Sequence, residues 1–441
     1  MPPRACSGAC RAFPRSTRHR SQPIAGSASA SSAQQLFWCW ALRSFRSMER
    51  HRSSASALTT RAAPSCSCRL LSHRSRGRDD RPHEATRGAQ CNALEAGVPR
   101  RTYPTAYSLS RTMSDLCLPL DITVVTPSFN RAGLITRALD SVRTQNRPPA
   151  KIIVVDDGST DGTPDVVRSW AAEHSFPVTV EVLARNAGPA AARNRGIELA
   201  ETEFVAFLDS DDEHLPDTLQ RLHAPLAALP DAVMSFSDAT IVTPTGREPH
   251  GLFAPRIRPG SETSPLDLPG MAVHELRDAT STLLKASIIP TSASFFRRKA
   301  ALAAGLMPTE FRSGEDWLFW LRLAQQGRFV FQFDDLALHH RHEANLTHAG
   351  AAELVAREKL RGYLALEHGT IGISLNDAHR QRIVELRTRQ LAGWRYHLSR
   401  LGLGAYLKGL SADWLQPLGN AGTHLVRDPK SLLRAAFNSL R

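Results

Sequence analysis

Val205-Ala206-Phe207-Leu208-Asp209-Ser210-Asp211-Asp212-Glu213 is an apolar run of strand length that ends abruptly in acid. Asp209, Asp211 and Asp212 put three carboxylates within four residues. Like charges that close repel one another, so the cluster needs a cation or free access to water. Open α/β sheets hold ligands at the carboxyl ends of their strands, which is where these acids fall. The pattern suits a divalent cation that in turn holds a diphosphate. A plainer reading, acids capping the helix that Pro216 opens, stands beside it until the rest of the chain is read.

Upstream, Ile122-Thr123-Val124-Val125-Thr126 is a β-branched strand closed by Pro127. Ala132 to Gln145 carries Leu134, Ile135, Ala138, Leu139 and Val142 at helical period. A second strand is predicted at Lys151 to Val155, ending in the turn-rich Asp156-Asp157-Gly158-Ser159-Thr160-Asp161-Gly162. Thr163-Pro164 opens the next helix, with proline at a tolerated first position. A third strand at Val178 to Leu183 leads through Arg185-Asn186-Ala187-Gly188-Pro189 into a small-residue helix. Glu203 to Leu208 is the fourth strand. Strands alternating with such helices predict a parallel, doubly wound sheet whose loops converge at its carboxyl edge.

Downstream, a helix is predicted near 216–229 and one or two strands at Val233 to Val242, with Thr245-Gly246 as a turn. Residues 247–290 are rich in Pro, Gly, Ser and Thr and read as a long substrate-facing loop. Ser292 to Phe296 is a further strand. Gly314-Glu315-Asp316 opens an amphipathic helix from Trp317 to Gln326. From Gly350 onward the chain reads as helices, and Leu403 to Leu415 is expected to pack on a core rather than on a membrane.

Composition narrows the classes. The formal charge is +13, yet residues 1–112 alone hold 19 Arg, no Lys and five acids. The remainder has 36 basic and 37 acidic residues, a net of −1, so no nucleic-acid partner is expected. Six of the seven Cys lie in residues 1–112, and Cys66-Ser-Cys68 lacks zinc-knuckle spacing. That segment is expected to be disordered, with the texture of mistranslated GC-rich text and Met113 as the expected start. No apolar run approaches the roughly 18 residues of a membrane span.

Five motifs occur in order: V-T-P-S-F-N-R at 125–131, D-D-G-S-T-D-G-T at 156–163, N-A-G-P-A-A-A-R-N-R-G at 186–196, L-D-S-D-D at 208–212 and G-E-D-W at 314–317. With R-H-E-A-N-L-T at 341–347, this resembles the family 2 glycosyltransferases over residues 120–348. The resemblance implies a GT-A (Rossmann-like) α/β nucleotide-diphospho-sugar transferase fold at 118–348 and a helical C-terminal extension at 349–441. It also implies inverting transfer of a sugar from a nucleotide-diphosphate donor to an acceptor hydroxyl, in cell-surface polysaccharide or glycoconjugate synthesis.

On that resemblance, Pro127, Phe129, Asn130, Arg131, Asp156 and Asp157 cradle the base and ribose. Asn186, Gly188 and Arg193 sit at a loop-to-helix junction suited to anions. Asp209, Asp211 and Asp212 match metal-binding acids for Mn²⁺ or Mg²⁺, with Asp211 common to the overlapping pairs. Asp316 is singled out as the base with Glu315 in support, and Arg341 and His342 are placed near the pyrophosphate. Zinc is disfavoured at His339-His340-Arg341-His342, which has no H-E-x-x-H and no Cys partner.

A carboxylate can accept from a uracil or guanine N–H, and the expected donor leans to a UDP-sugar. The expected acceptor is a glycan or lipid-linked, and the expected setting is cytoplasmic, soluble or peripheral at the inner membrane face. Two other classes stand beside it: a nucleotide-sugar binding module without catalysis, and a Rossmann dehydrogenase, disfavoured because no G-x-G-x-x-G follows any early strand.

Overall fold

The computed structural model describes residues 119–440 apart from 252–255, 343–344 and 346–348. Expectations for residues 1–112, and part of the 341–347 motif, lie outside the described residues.

The β-branched runs form strands as their composition demands. β1 (Leu120–Ser128), β2 (Pro149–Asp156), β3 (Val178–Val182) and β4 (Phe204–Phe207) lie side by side in the order β3-β2-β1-β4, all parallel. Alternation explains why these strands are apolar throughout. Ile122, Val124, Ile152, Val154 and Ala206 face one packed layer, and Val125, Ile153, Val155, Val205 and Phe207 face the other. Helices α1 (Ile135–Arg143), α2 (Thr163–His174) and α3 (Pro189–Leu199) supply the crossovers.

Beyond β4 the sheet departs from the expected parallel pattern. A two-residue strand β5 (Glu213–His214) and helix α4 (Thr218–Ala228) lead to β6 (Ala232–Thr243), which turns into β7 (Gly246–Gly251). The stretch 247–290, expected to be a loose loop, contains β7, a hairpin of β8 (Thr263–Leu268) and β9 (Met271–Leu276), and helix α5 (Ala279–Lys285). Its Pro and Gly residues mark turns of edge strands, not absence of structure: Gly270, at the hairpin tip, has φ +71°. Asp278 caps α5 by accepting from the Ser281 N–H.

Strand β10 (Ser294–Arg297) then wedges antiparallel between β4 and β6. Period-2 apolar text carries no strand direction, so only the packed chain sets this. Helices α6 (Arg298–Ala303) and α7 (Glu315–Leu323) precede the long strand β11 (Arg328–His340), parallel to β6. β11 also pairs antiparallel with β5, aligning Ala337 with His214 and Leu338 with Glu213.

The C-terminal helices are α8 (Ala352–Glu367), α9 (Asp377–Ser399), α10 (Leu403–Leu410), α11 (Ala421–Arg427) and α12 (Pro429–Asn438). Tyr363, Leu366, Ile371 and Ile383 join Trp317, Phe319 and Trp320 in one buried cluster. Trp394, Tyr406, Leu410 and Leu415 form a separate core among the last helices. No described helix is long and apolar enough to cross a membrane.

Candidate active site

The acid cluster follows β4 directly, so the sheet delivers all three carboxylates to its carboxyl edge. They meet three different environments. Asp212 is fully buried and saturated: Ser292 Oγ donates to its Oδ2 at 2.6 Å, and the His340 N–H donates to its Oδ1 at 3.0 Å. His339 Nδ1 adds a contact at 3.2 Å. The Asp209 N–H also donates to Ser292 Oγ, which ties the turn to that hydroxyl.

Among the described residues, Asp211 accepts around one oxygen only. Its Oδ2 lies 3.0 Å from His342 Nε2, 3.5 Å from Asn345 Nδ2 and 3.7 Å from Arg131. Burial pushes its carboxyl up, as do Asp209 and Asp212, while Arg131 and His342 pull it back. Asp209 is the half-exposed member. Its Oδ1 accepts from Arg193 at 2.7 Å.

The histidine-rich stretch is the counterpart of the acid run. His339 meets Asp212, His340 Nε2 lies 2.7 Å from Glu213, and His342 meets Asp211. Burial opposes protonation of His339, yet the Asp212 hydrogen bond and charge hold it above its ordinary value. The β5–β11 pairing brings the two runs together. Arg341 points elsewhere, to Glu248 at 3.1 Å.

Arg193 joins two distant parts of the sequence. From α3 its buried guanidinium donates to Asp209 and, at 3.1 Å, to Glu315 Oε1 at the start of α7. Glu315 is buried, and that burial, with Asp316 beside it, pushes its carboxyl up to about 7 against the pull of Arg193. Asp316 is the more accessible of the pair. The Trp317 N–H donates to its Oδ1 at 2.7 Å, and Thr291 Oγ1 to its Oδ2 at 3.3 Å. Its carboxyl is also raised, again chiefly by burial.

Asp156 and Asp157 hold loops together. Asp156 accepts from the Ser159 N–H at 2.8 Å and the Ser159 hydroxyl at 2.6 Å. Asp157 accepts from the N–H groups of Ala187 and Gly188, at 2.7 and 2.8 Å, and so occupies the amides that lead into α3. Pro127 is buried, whereas Phe129, Asn130 and Asn186 are exposed at the rim. Asn130, at φ +52°, accepts from the Thr160 N–H and fixes the first loop to the second. Gly188 has φ +94°.

Several contributors carry no sequence signal. Ser292 and Thr291 lie in a short 3₁₀ turn (Thr291–Ala293), and Arg137 on α1 donates to the Asp211 carbonyl at 2.7 Å. Asn345, by contrast, stands inside a motif already singled out.

Among the described residues, no three His, Cys, Asp or Glu side chains converge as a ready-made metal cage. The donor set still fits a hard divalent cation. Mg²⁺ and ions like it take one or two carboxylates and complete their shell with substrate phosphates and water. Asp209 Oδ2 and Asp211 Oδ1 accept no hydrogen bond among the described residues, whereas both oxygens of Asp212 are taken.

Residues 123–302 match the family described as Glycosyl transferase family 2. Over 100 residues the chain is 40% identical to a putative teichuronic acid biosynthesis glycosyltransferase, TuaG, of Bacillus subtilis, covering 23% of this chain and 39% of that one. Over 102 residues it is 42% identical to the succinoglycan biosynthesis protein ExoO of Rhizobium meliloti, covering 23% of this chain and 28% of that one. The matches thus span well under half of these relatives. The S. aureus TarS 1-349 structure in complex with UDP-GlcNAc superposes with a TM-score of 0.52 at 21% identity. It covers 73% of this chain and 91% of that one, a likeness of fold.

Proposed function

We propose, from the match of residues 123–302 to glycosyl transferase family 2, an inverting glycosyltransferase acting on a nucleotide-diphosphate sugar. A UDP-sugar is the favoured donor, and the acceptor hydroxyl belongs to a glycan or a lipid-linked sugar in cell-surface polysaccharide or glycoconjugate synthesis. The setting is cytoplasmic, soluble or peripheral at the inner membrane face.

The observation that carries the reading is the Arg193 bridge. One buried guanidinium holds the donor-side acid Asp209 and the acid pair of α7 in a single constellation. Glu315 is occupied by that bridge, which leaves Asp316, the more accessible of the pair, to meet the acceptor hydroxyl. The acceptor oxygen attacks the anomeric carbon as the sugar–phosphate bond breaks, and its proton passes to Asp316. Glu315 orients Arg193 and, through it, Asp209. A Mn²⁺ or Mg²⁺ held by Asp209 and Asp211 would neutralise the departing diphosphate. His342, Asn345 and Arg131 hold Asp211 in place for that role. Asp156, Asp157, Asn130 and Asn186 shape the base and ribose cradle, the acids by fixing its loops.

The test is nucleoside diphosphate release from nucleotide sugars, with and without Mn²⁺ and with chelator. Asp316→Asn is expected to keep donor affinity while turnover falls at least ~10²-fold, the usual scale for a general base. Normal turnover in that variant leaves Asp316 without the role. Full turnover in chelator removes the metal, and absence of any release under all conditions leaves a binding module instead.

A further inference from the structure

The last helices differ in charge from residues 113–376, which precede them. Residues 113–376 hold 25 basic and 33 acidic residues, a net of −8, whereas residues 377–441 hold 11 basic and four acidic, a net of +7. The same helices expose apolar side chains. Leu401 is 59% exposed, Leu440 73% and Val426 82%.

These residues are brought together by packing. The Leu403 N–H donates to Ser439 Oγ at 2.6 Å, and Asn438 Nδ2 donates to the Ser399 carbonyl at 3.3 Å. The start of α10 therefore lies against the end of α12, with Leu401 and Leu440 at the junction. Arg434 stacks over the Tyr396 ring at 4.5 Å, Arg400 is exposed next to Leu401, and Lys408 on α10 and Lys430 on α12 are exposed as well. Along α12, Lys430, Leu433 and Phe437 recur on the side away from the buried Ser431 and Ala435.

We propose that α10 and α12, with the junction between them, form a docking surface for an anionic lipid bilayer. Leucines flanked by long cations suit the headgroup boundary: the apolar groups enter it, and the cations stay at lipid phosphate level. The charge division orients the molecule, because the acidic catalytic portion is repelled from the surface that attracts the helices. Charge also argues against a second copy, since a symmetric contact would set two basic patches face to face. Nucleic acid would satisfy the cations and leave the leucines in water. The proposal deepens the peripheral-membrane setting given above by naming the surface and its lipid charge.

Vesicle co-sedimentation of the full chain tests it, without using sugar transfer. The lipids are phosphatidylcholine alone and phosphatidylcholine with phosphatidylglycerol. Wild type is expected to partition to the anionic vesicles and much less to the neutral ones. Leu401→Asp with Leu440→Asp is expected to weaken partitioning about tenfold or more. Lys408→Glu with Lys430→Glu is expected to weaken it by at least the roughly fivefold that each cation contributes. Residues 1–112 bring 19 Arg to every variant, so the readout is the difference between variants of the full chain. All four positions are exposed, so unchanged circular dichroism is expected of both pairs. The proposal is overturned if both pairs partition like wild type, or if neutral vesicles bind as well as anionic ones. It is also overturned if ultracentrifugation shows a dimer that the leucine pair dissolves.

Discussion

Asp209, Asp211 and Asp212 are one residue type in three electrostatic situations. Asp212 is consumed by the fold, Asp211 is half held by His342 and Asn345, and Asp209 leans on Arg193. Their neighbour in the proposed site, Glu315, shows how burial sets protonation. Its carboxyl rises from an ordinary 4.5 to about 7, so between those values the folded chain holds a proton that the unfolded chain has lost. Stability then falls as pH rises through that window, because the native state binds more protons. Thermal unfolding followed from pH 5 to 7 should show this decline, and Glu315→Gln should flatten it. A Glu315→Gln profile parallel to wild type would show that Glu315 is not the group responsible. With Asp316 in the proposed role of base, turnover is expected to have the opposite slope, since its carboxyl, raised by burial, must be ionised to accept a proton.

At the scale of elements, α3 owes its position to Gly196. A Cβ there would lie 2.2 Å from Val125 Cγ1 of β1, far inside contact distance, and Val125 is locked in the central strand. The glycine lets the helix lie close enough for Arg193, three residues earlier, to span Asp209 and Glu315. Gly196→Ala is therefore expected to lower stability by about 1–3 kcal/mol, the usual cost of overpacking, read as a shift in denaturant midpoint. An unchanged midpoint would mean that β1 and α3 separate at little cost. The short β5 acts similarly on a smaller scale. Two residues of pairing with β11 bring three histidines against three acids.

For the whole molecule, the large sheet with its helices and the C-terminal helices share a core. Gly362 of α8 admits Trp317, whose ring carbon would meet a Cβ at 2.8 Å, and the Trp317 indole N–H donates to the Leu283 carbonyl. Tyr363 and Leu366 are buried in the same cluster. Trp317 follows Asp316 directly, so α8 backs the acid pair. A chain ending at residue 348 would expose this face, and it is expected to aggregate or to lose cooperative unfolding. A soluble truncated chain with the wild-type transition would show that the extension is a separate module.

Four strands, their crossover helices and the acid run at a sheet edge were legible from residues 120–213, because local alternation and turn chemistry determine them. The acid pair opening α7 was equally plain, carried by Gly314, which has φ +80°. The rest is decided by contacts between residues far apart in the chain. Nothing in one-dimensional spacing distinguishes Asp212 from Asp211, because what separates them is a hydroxyl 80 positions later and a strand more than 120 positions away. Asp156 and Asp157 read as donor contacts from sequence, and the tertiary structure adds what spacing does not show: they accept from the Ser159 N–H and hydroxyl and from the amides of Ala187 and Gly188. The direction of β10 and the order hidden in 247–290 were likewise set by packing, since edge strands bury too little to leave a strong period. Sequence alone determined which chemistry reaches the sheet edge; the fold decided which carboxylate keeps an oxygen for it, by spending the others on hydrogen bonds.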